Sequence, residues 1–406
     1  MQVLGPYYSD ESGEKMIRKI PIIRPDISAS DIIRGFKSLC AGSSSEEFIA
    51  VLSGFTRAKF ICTVNSGLAA FYILLKALQE KSFKKEVVLP AYTAGSLITA
   101  VRKAGLKPVL CDISLKDFNM DKDVLSGALS GDTLAVVAVH MFGIPVRDIA
   151  GFRAMIPEGT WFLEDCAQAM GSKVSGLPVG CFSDAGFFSF NRGKNLSVFS
   201  GGCICTNNED IAAGVRSAVR GLRKAGPLSG SLLLFKTAAL VLATNPMVYG
   251  LGYPFISRFK DIAPAMDLSA RPLSDFQAGL GSVLLEGCRE DFSARHKNGA
   301  FIIEGLRGND GVILPDISGR IYAVFNRLPL LFRDARLLER KQRELWDAGI
   351  ESSRMYDMPL HHMFELGYKK EDFPNADYLA GHLLTLPVYP LLKKQYLEKM
   401  IEVIRK

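Results

Sequence analysis

The sequence predicts an α/β fold with a mainly parallel, seven-stranded sheet between helices and a smaller C-terminal α/β domain. Two observations predict it. After Thr56, short strand-like runs alternate with amphipathic helical patterns, and near Gly281 the sequence changes to one long helical pattern. Short, fully apolar strands that alternate with helices are typical of parallel sheets covered by helices on both faces.

Each predicted strand is a short apolar run bounded by turn residues. The seven runs are Phe60–Val64, Val87–Leu89, Pro108–Asp112, Ala135–His140, Trp161–Glu164, Ala185–Ser189 and Cys203–Thr206. The helical patterns between the early runs are Leu68–Leu78, Gly95–Ala104, Asp121–Leu129 and Arg147–Met155. Ligands of open α/β sheets collect at the carboxyl ends of the strands, so we expect the functional residues there.

The remaining segments complete the predicted domain organisation. Residues 1–25 form an N-terminal arm, residues 26–281 the large domain and residues 282–406 the small domain. The run Ile20–Ser28 is typical of extended chain, and Ser43–Ser45 followed by two glutamates predicts a helix start. After a helix from Gly281 to Leu306, the small domain is predicted to contain strands at Val312–Leu314 and Ile321–Leu328 and helices at Arg333–Ala348 and Lys393–Arg405.

Composition places the 406-residue chain among globular proteins, since 48% of its residues are hydrophobic and 22% are charged. A chain of this length is expected to form two domains. The formal charge of +7 is dispersed, and no basic run has interleaved aromatic residues. We therefore expect no nucleic-acid partner, and a mildly basic surface suits small anionic substrates.

The eight cysteines lie mostly inside apolar runs and lack paired metal-ligand spacing. This pattern predicts reduced, buried thiols, a cytoplasmic location and no metal site. Residues 1–19 are polar and charged, unlike a signal peptide. The apolar run Leu232–Tyr249 is broken by Lys236, Asn245 and Pro246. We expect it to form a buried or dimer-facing helix, and contact with a membrane surface is the less favoured alternative.

The chemistry is concentrated between Trp161 and Thr206. Asp165 follows the apolar run Trp161–Leu163, and Lys194 lies in a turn shortly after three phenylalanines. A partly desolvated lysine amine can react with a carbonyl group to form a Schiff base. A buried carboxylate needs a cationic partner, which a pyridinium nitrogen supplies. Together the two residues predict the two ends of a pyridoxal phosphate (PLP) site.

The sequence around these residues resembles the DegT-like sugar-nucleotide aminotransferases, which are PLP enzymes of fold type I. The resemblance rests on E-D-x-A-Q-A-x-G at Glu164–Gly171, on G-x-F-S-D-A-G-F-F-S-F-x-x-x-K-N-L at Gly180–Leu196, and on Gly201 and Gly202. It covers most of the chain, and further similar segments are Asn65–Phe71, Leu89–Val101, Asp112, Val139–Pro145, Met358–Tyr368 and Phe373–Pro390.

The resemblance implies a role for each motif residue. Lys194 would hold the cofactor and then move a proton between substrate carbon and cofactor, and Asp165 would pair with the ring nitrogen. Gln168, one helical turn after Asp165, would lie against the ring. The phosphate would be bound by Ser189 and by the turn containing Ser66 and Gly67, where backbone amides open a helix. The plainer alternatives are that Lys194 is a surface lysine, that Asp165 caps a helix and that Ser189 is a strand-end hydroxyl bonded to the backbone.

Three positions depart from the family pattern. Leu68 stands where the family usually has a phosphate-binding threonine, and Ala94 stands where an aromatic residue commonly stacks on the ring; Tyr92 could supply that face instead. Arg271 is a candidate ligand for the cofactor phosphate of the partner subunit, but its alignment depends on Pro272.

Three histidines have less specific patterns. His140 is predicted to be a satisfied strand-end histidine rather than part of the site floor. His361 and His362 lie in the family's substrate-side segment, and no third metal ligand is near them in sequence. A substrate role is therefore the less favoured reading for this pair, and metal binding is weaker still.

The resemblance implies a homodimeric, PLP-dependent aminotransferase of glycan or polysaccharide precursor synthesis. It would move an amino group, expected to come from glutamate, to a nucleotide-linked ketosugar. One alternative is an inactive PLP-binding regulator or assembly protein of the same fold. Another is a PLP-dependent sugar dehydratase, but those relatives have histidine at the position of Lys194.

Overall fold

Seven strands form the central sheet of the protein in the computed structural model, which describes residues 19–41, 44–222, 227–260 and 268–406. The strands up to Thr206 are β1 (Phe60–Val64), β2 (Glu86–Pro90), β3 (Lys107–Cys111), β4 (Thr133–Val139), β5 (Trp161–Asp165), β6 (Lys173–Val174), β7 (Leu177–Pro178), β8 (Ala185–Ser189) and β9 (Gly202–Thr206). All but the short β6 and β7 belong to the central sheet.

The central sheet has the strand order β1-β9-β8-β5-β4-β2-β3. Strands β8, β5, β4, β2 and β3 are parallel to one another, whereas β9 pairs antiparallel with both β1 and β8. The predicted mainly parallel sheet of seven strands is therefore confirmed. Each of the seven strands predicted for this sheet matches an observed one, with ends that differ by at most two residues.

Helices pack against this sheet and in the small domain. They are α1 (Ala29–Ala41), α2 (Ser44–Thr56), α3 (Gly67–Gln79), α4 (Gly95–Lys103), α5 (Ile149–Met155), α6 (Glu209–Val219), α7 (Pro227–Ala243), α8 (Pro246–Lys260), α9 (Asp275–Leu306), α10 (Ala335–Asp347), α11 (Leu360–Met363), α12 (Pro374–His382) and α13 (Lys394–Arg405). The predicted helical pattern at Asp121–Leu129 forms a 3-10 helix over Lys122–Ala128 instead of an α-helix.

The small domain contains a three-stranded antiparallel sheet of β10 (Val312–Ile313), β12 (Leu328–Phe332) and β13 (Leu383–Leu386), with β12 in the middle. The predicted strand Ile321–Leu328 is wrong. Only β11 (Ile321–Tyr322) forms within it, and β11 pairs with β6 of the large domain. The true central strand contains Pro329, and proline is uncommon in a central strand, so the sequence pattern did not reveal it.

Helix α9 begins earlier than predicted and connects the two parts of the chain. Ser274 and Gln277 form a capping box, so the helix starts at Asp275 rather than at Gly281. It then continues without interruption through residue 281, the predicted end of the large domain. Gln277 also donates to the carbonyl oxygens of Val198 and Ser200, which ties the start of α9 to the loop that carries Lys194.

The N-terminal arm contacts the small domain. Residues 1–18 of the predicted arm lie outside the described residues, as does Ser43 of the predicted helix start. Ile20 forms a parallel bridge with Ile350. The Ile22 backbone amide donates to a carboxylate oxygen of Glu351 at 2.9 Å.

The apolar run Leu232–Tyr249, predicted to form one buried or dimer-facing helix, forms two helices that are not buried in the single chain; the dimer-facing role stays a prediction. The run is divided between α7 and α8 at Asn245, and several of its large apolar side chains are exposed. Among the described residues, no single helix has both the length and the apolar composition to cross a membrane. Two consecutive helical segments meet these two criteria only when they are taken together: Leu232–Ala243 and Pro246–Tyr253. The chain bends by 86° between them.

Candidate active site

Asp165 and Lys194 lie at the carboxyl edge of the central sheet. Asp165 is the last residue of β5, and Lys194 lies in the loop that follows the neighbouring parallel strand β8. Parallel neighbours bring their carboxyl ends to the same edge. The two side chains are close enough that the charge of each changes the pKa of the other.

The Lys194 amine has an unusual proton affinity. Burial lowers its pKa from the ordinary value of 10.5 to about 8, while the Asp165 carboxylate acts in the opposite direction and the Arg327 guanidinium lowers it further. A buried ammonium loses its hydration, which favours the neutral amine. The neutral, nucleophilic form of Lys194 is therefore far more accessible near neutral pH than that of an ordinary lysine.

The Asp165 carboxylate is buried, and among the described residues it has one hydrogen bond, from the Ala167 backbone amide at 2.8 Å. Burial raises its pKa, and the Ala167 amide, Lys194 and His140 each act to lower it. A buried carboxylate with this limited pairing is stabilised by an additional cation. The carboxylate is thus suited to pair with a protonated ring nitrogen.

The loop of Lys194 is held on both sides by side-chain amides. Asn195 donates to the carbonyl oxygens of Met170 and Val324 at 3.0 and 2.8 Å, and Asn326 donates to the carbonyl oxygen of Gly193. The small domain therefore helps to fix the position of the lysine. This explains why the chain leaves a regular strand at 323–326, where the backbone bonds to large-domain groups.

Glu164 and His140 form a fully buried pair next to Asp165. His140 Nδ1 accepts from the Val146 amide at 3.0 Å, so Nε2 carries the proton that points to Glu164 at 3.0 Å. Burial acts to raise the pKa of Glu164, but the bonds from His140, Gly180 and Ser183 outweigh it, and the pKa is lowered. His140 is a satisfied strand-end histidine, as predicted, and it lies close enough to influence Asp165.

Gln168 lies in the site and is fixed from two directions. Its side-chain oxygen accepts from the Phe142 amide at 3.2 Å, and it hydrogen-bonds with Tyr356 of the small domain. Burial raises the pKa of Tyr356, and the charge of Asp165 raises it further. The Tyr356 hydroxyl therefore stays protonated next to Asp165 and Gln168.

A narrow cradle forms where three segments meet at the start of α3. Ser66 caps the helix by accepting from the Ala69 amide at 3.0 Å, which leaves the first-turn amides of Gly67 and Leu68 without an intrahelical partner. A Cβ at Gly67 would lie 2.7 Å from Cβ of Ser189, so only glycine allows this approach. The amides at this helix start and the two serine hydroxyls can bind an anion.

The departures from the family pattern have structural counterparts. The Leu68 side chain packs against the hydrophobic core, so this residue can offer the cradle only its backbone amide. Ala94 is half-buried at the start of α4 and makes no side-chain cap. Tyr92 is fully buried, and its hydroxyl donates to the carbonyl oxygen of Tyr356 at 3.2 Å. Tyr92 thus supports Tyr356 instead of presenting a free ring face.

Arg271 lies beside the cradle. Its backbone amide donates to the Asn65 side chain at 3.1 Å and its carbonyl oxygen accepts from the Asn65 amide at 2.9 Å. The Arg271 side chain is exposed. The segment is therefore fixed next to Ser66 while its guanidinium points away from the protein core.

Arg327 was not predicted, although it lies at the site. Its guanidinium affects the pKa of both Lys194 and Tyr356. Its Nε is enclosed and has no hydrogen-bond partner among the described residues, and burial lowers its pKa. An enclosed guanidinium of this kind favours an anionic ligand. Sequence pattern gave no signal for Arg327, because it comes from the small domain about 130 residues after Lys194.

His361 and His362 lie in a separate cluster in the small domain. Their Nε2 atoms are 3.6 and 3.3 Å from the Asp377 carboxylate and both contact the carbonyl oxygen of Lys370. Asp377 is the neighbour that sequence spacing did not reveal. The Lys370 carbonyl oxygen is the hydrogen-bond partner of both rings, and neither histidine is among the groups that shift the pKa of Lys194 or Asp165.

These observations test whether the residues present fit PLP. The cradle at Ser66, Gly67 and Ser189 suits a phosphate, the buried Asp165 suits a pyridinium nitrogen, and Lys194 suits an aldehyde carbon. All three features lie at one edge of the sheet. The chemistry of the donor groups therefore fits the cofactor.

Two curated sugar aminotransferases are similar to this chain along most of its length. The UDP-N-acetyl-3-dehydro-alpha-D-glucosamine 3-aminotransferase of Acidithiobacillus ferrooxidans is 27% identical over 84% of this chain and 82% of its own length. The dTDP-3-amino-3,4,6-trideoxy-alpha-D-glucose transaminase of Micromonospora megalomicea subsp. nigra is 26% identical over 91% of this chain and 90% of its own.

The fold is shared with solved sugar aminotransferases. The structure of CalS13 from Micromonospora echinospora matches with a TM-score of 0.78 over 95% of this chain and 99% of that chain, at 23% identity. The predicted fold type I architecture is thereby confirmed. Residues 28–405 match the sequence profile described as the DegT/DnrJ/EryC1/StrS aminotransferase family. The chain belongs to that family.

Proposed function

We propose that this protein is a PLP-dependent aminotransferase that transfers an amino group from glutamate to the keto group of a nucleotide-linked sugar. The observation that carries the proposal is the position of Lys194, with its pKa lowered to about 8, close to the buried Asp165 at the ends of two neighbouring parallel strands. The names of the relatives that act on UDP-linked and dTDP-linked sugars support the substrate class.

Several residues would hold the cofactor. Ser66, Ser189 and the amides of Gly67 and Leu68 would bind the phosphate, and Lys194 would bind the aldehyde carbon. Asp165 would keep the ring nitrogen protonated. When bound, PLP withdraws electrons from the carbon that bears the amino group, which makes the proton on that carbon removable.

The protein's own groups would then orient the substrate and move the proton. Lys194, whose pKa is lowered to about 8, would serve as the base that takes the proton from the substrate carbon and as the acid that gives it back. Gln168 and Tyr356, which hydrogen-bond to each other beside Asp165, would contact the cofactor and help to orient it. Arg327 would hold a carboxylate or phosphate group of the substrate next to the lysine.

The remaining parts of the proposal concern assembly and location. The protein would be a homodimer. In it, the exposed Arg271 side chain of one subunit would reach the cofactor phosphate of the other. Ala94 would leave space above the ring, where relatives commonly have an aromatic residue. The described cysteines other than Cys40 are unpaired, which favours a reducing cytoplasm. Light scattering of the purified protein tests the dimer.

The test of the function is amination in vitro. The purified protein with PLP and glutamate is incubated with a panel of UDP-linked and dTDP-linked ketosugars, and the aminated sugar and 2-oxoglutarate are measured by mass spectrometry. Both products should form in equal amounts, and Lys194→Ala should form neither. Cofactor binding without product across the panel, together with no glutamate-dependent change of the cofactor spectrum, would instead favour the inactive PLP-binding relative.

A further inference from the structure

The outward side of helices α7 and α8 is apolar and exposed. We call it the α7–α8 face and define it by its large exposed side chains: Leu232, Phe235, Leu242, Met247, Val248 and Leu251. Phe235 and Leu251 are each 69% exposed, and Leu242 is 62% exposed. The three α7 members recur at helical spacing along a single side of that helix. Exposed apolar residues grouped in this way mark an interaction surface.

The inner side of α7 carries buried polar side chains, so the helix differs from an ordinary amphipathic helix, which turns its polar side to water. Thr237 and Thr244 are buried, and their hydroxyls bond back to the carbonyl oxygens of Leu233 and Leu240 at 2.8 Å. Leu233, Leu234 and Val241 pack against the core. The helix therefore has Thr237 on its inner side, while Phe235 and Leu242 are exposed on its outer side. A helix that faces water normally carries its polar residues outside.

The inner sides of the two helices are already fixed to the protein. The Tyr249 hydroxyl donates to the Glu351 carboxylate at 2.8 Å, and the carbonyl oxygen of Pro246 accepts from the Lys19 amide at 3.2 Å. The apolar outer side is therefore held in place facing outward. Because the helix pair is bent by 86°, it does not form one straight rod that could cross a bilayer, but it can lie along a surface.

The sequence segment that forms this face carries charges of one sign only. From Arg220 to Lys260 the sequence contains no aspartate or glutamate, and its charged residues are Arg220, Arg223, Lys224, Lys236, Arg258 and Lys260. The whole chain is far more balanced, with 49 basic and 42 acidic residues. Basic residues next to exposed leucine and aromatic side chains are typical of segments that bind anionic lipid surfaces.

We propose that the α7–α8 face docks on the surface of a membrane that contains anionic lipids, with its apolar side chains at the level of the acyl chains and the exposed Arg220 and Lys236 at the headgroups. A second copy of this chain would match the apolar side chains, but it would place like charges together around them. This proposal does not depend on the proposed transamination.

The test uses the full-length protein loaded with PLP and flotation with two kinds of vesicle. One kind is phosphatidylcholine alone, and the other is phosphatidylcholine and phosphatidylglycerol in equal parts. The protein should float with the anionic vesicles and stay behind with the neutral ones. In Phe235→Ser/Leu251→Ser the bound-to-free ratio should fall about tenfold or more, because two large apolar groups no longer enter the lipid.

Matched controls distinguish binding through this face from nonspecific adsorption to vesicles. Phe83→Ser removes a phenylalanine that is 97% exposed elsewhere and should float like the wild type. Lys236→Glu should weaken flotation, whereas Lys369→Glu, at an exposed lysine outside the face, should not. Absence of wild-type flotation with anionic vesicles, or equal flotation of Phe235→Ser/Leu251→Ser, would overturn the proposal. A dimer that dissociates in that variant while the wild type ignores vesicles would identify the face as a subunit interface.

Discussion

Asp165 and burial act in opposite directions on the Lys194 amine: the Asp165 carboxylate raises its pKa, whereas burial lowers it. The two residues are 29 positions apart in sequence but lie at the ends of neighbouring parallel strands. Desolvation is the larger effect, so the amine has a pKa of about 8 rather than 10.5. The two residues therefore place a reactive amine next to a buried carboxyl group.

The first prediction concerns the pH dependence of PLP incorporation. The neutral amine is the reactive form, so the rate at which cofactor-free protein takes up PLP should rise with pH, bend near pH 8 and level off above it. Stopped-flow absorbance at the wavelength of the lysine-bound cofactor measures this rate. A bend close to 10.5, the ordinary value for lysine, would show that Lys194 is not desolvated.

The second prediction uses two charges of opposite sign. Asp165→Asn removes a negative charge that raises the pKa of Lys194, so the bend should move to lower pH. Arg327→Gln removes a positive charge that lowers this pKa, so the bend should move to higher pH. The same stopped-flow titration compares both variants. Shifts in one common direction would mean that these charges do not act on the amine.

The third prediction concerns the close approach at Gly67. In Gly67→Ala the new Cβ would lie 2.7 Å from Cβ of Ser189, so the cradle must open. PLP affinity should fall about tenfold or more, and the free energy of unfolding should decrease by roughly 1–3 kcal/mol. Equilibrium dialysis and urea unfolding measure the two effects.

The control for Gly67 is Gly54→Ala in α2. No atom lies within 4 Å of a Cβ built there, and the residue is inside a helix. This variant should bind PLP normally and gain about 0.5–1 kcal/mol in stability. Equal losses of PLP affinity in both variants would show that the cradle at Gly67 is not the phosphate site.

The fourth prediction concerns the buried Glu164. Its carboxylate accepts from His140 Nε2, from the amides of Gly180, Phe182 and Ser183, and from the Ser183 hydroxyl. Glu164→Ala leaves these buried donors unpaired and should cost roughly 3 kcal/mol or more in urea unfolding. The exposed Glu158→Ala should change stability by less than about 0.5 kcal/mol.

The pH dependence of that loss follows from the sign of the shift. The pKa of Glu164 in the folded protein lies below its ordinary value of 4.5, so the charged carboxylate stabilises the fold fully above about pH 4.5. This contribution is lost as the pH falls through the folded value. The stability difference between the wild type and Glu164→Gln should therefore shrink below pH 4.5. A constant difference across that range would contradict a charged Glu164.

Sequence pattern located the central sheet well, because its strands are short, apolar and separated by clear turns. It also located Lys194, Asp165 and Gln168, because they follow strand ends and carry a specific motif. It did not reveal Tyr356 or Arg327, since no local pattern shows which small-domain residues pack against the large domain. The orientation of α7 was missed for a related reason. A helix that is apolar on all sides gives no periodic signal for its inner face.

The central claim is that Lys194 binds PLP covalently next to Asp165. The most direct measurement is mass spectrometry after borohydride reduction of the PLP-loaded protein, followed by peptide mapping. We predict that the cofactor is attached to the peptide containing Lys194, and that Lys194→Ala carries none while Lys173→Ala, at an exposed lysine, carries it as the wild type does. Attachment at another lysine in the wild type, or undiminished attachment in Lys194→Ala, would contradict this account.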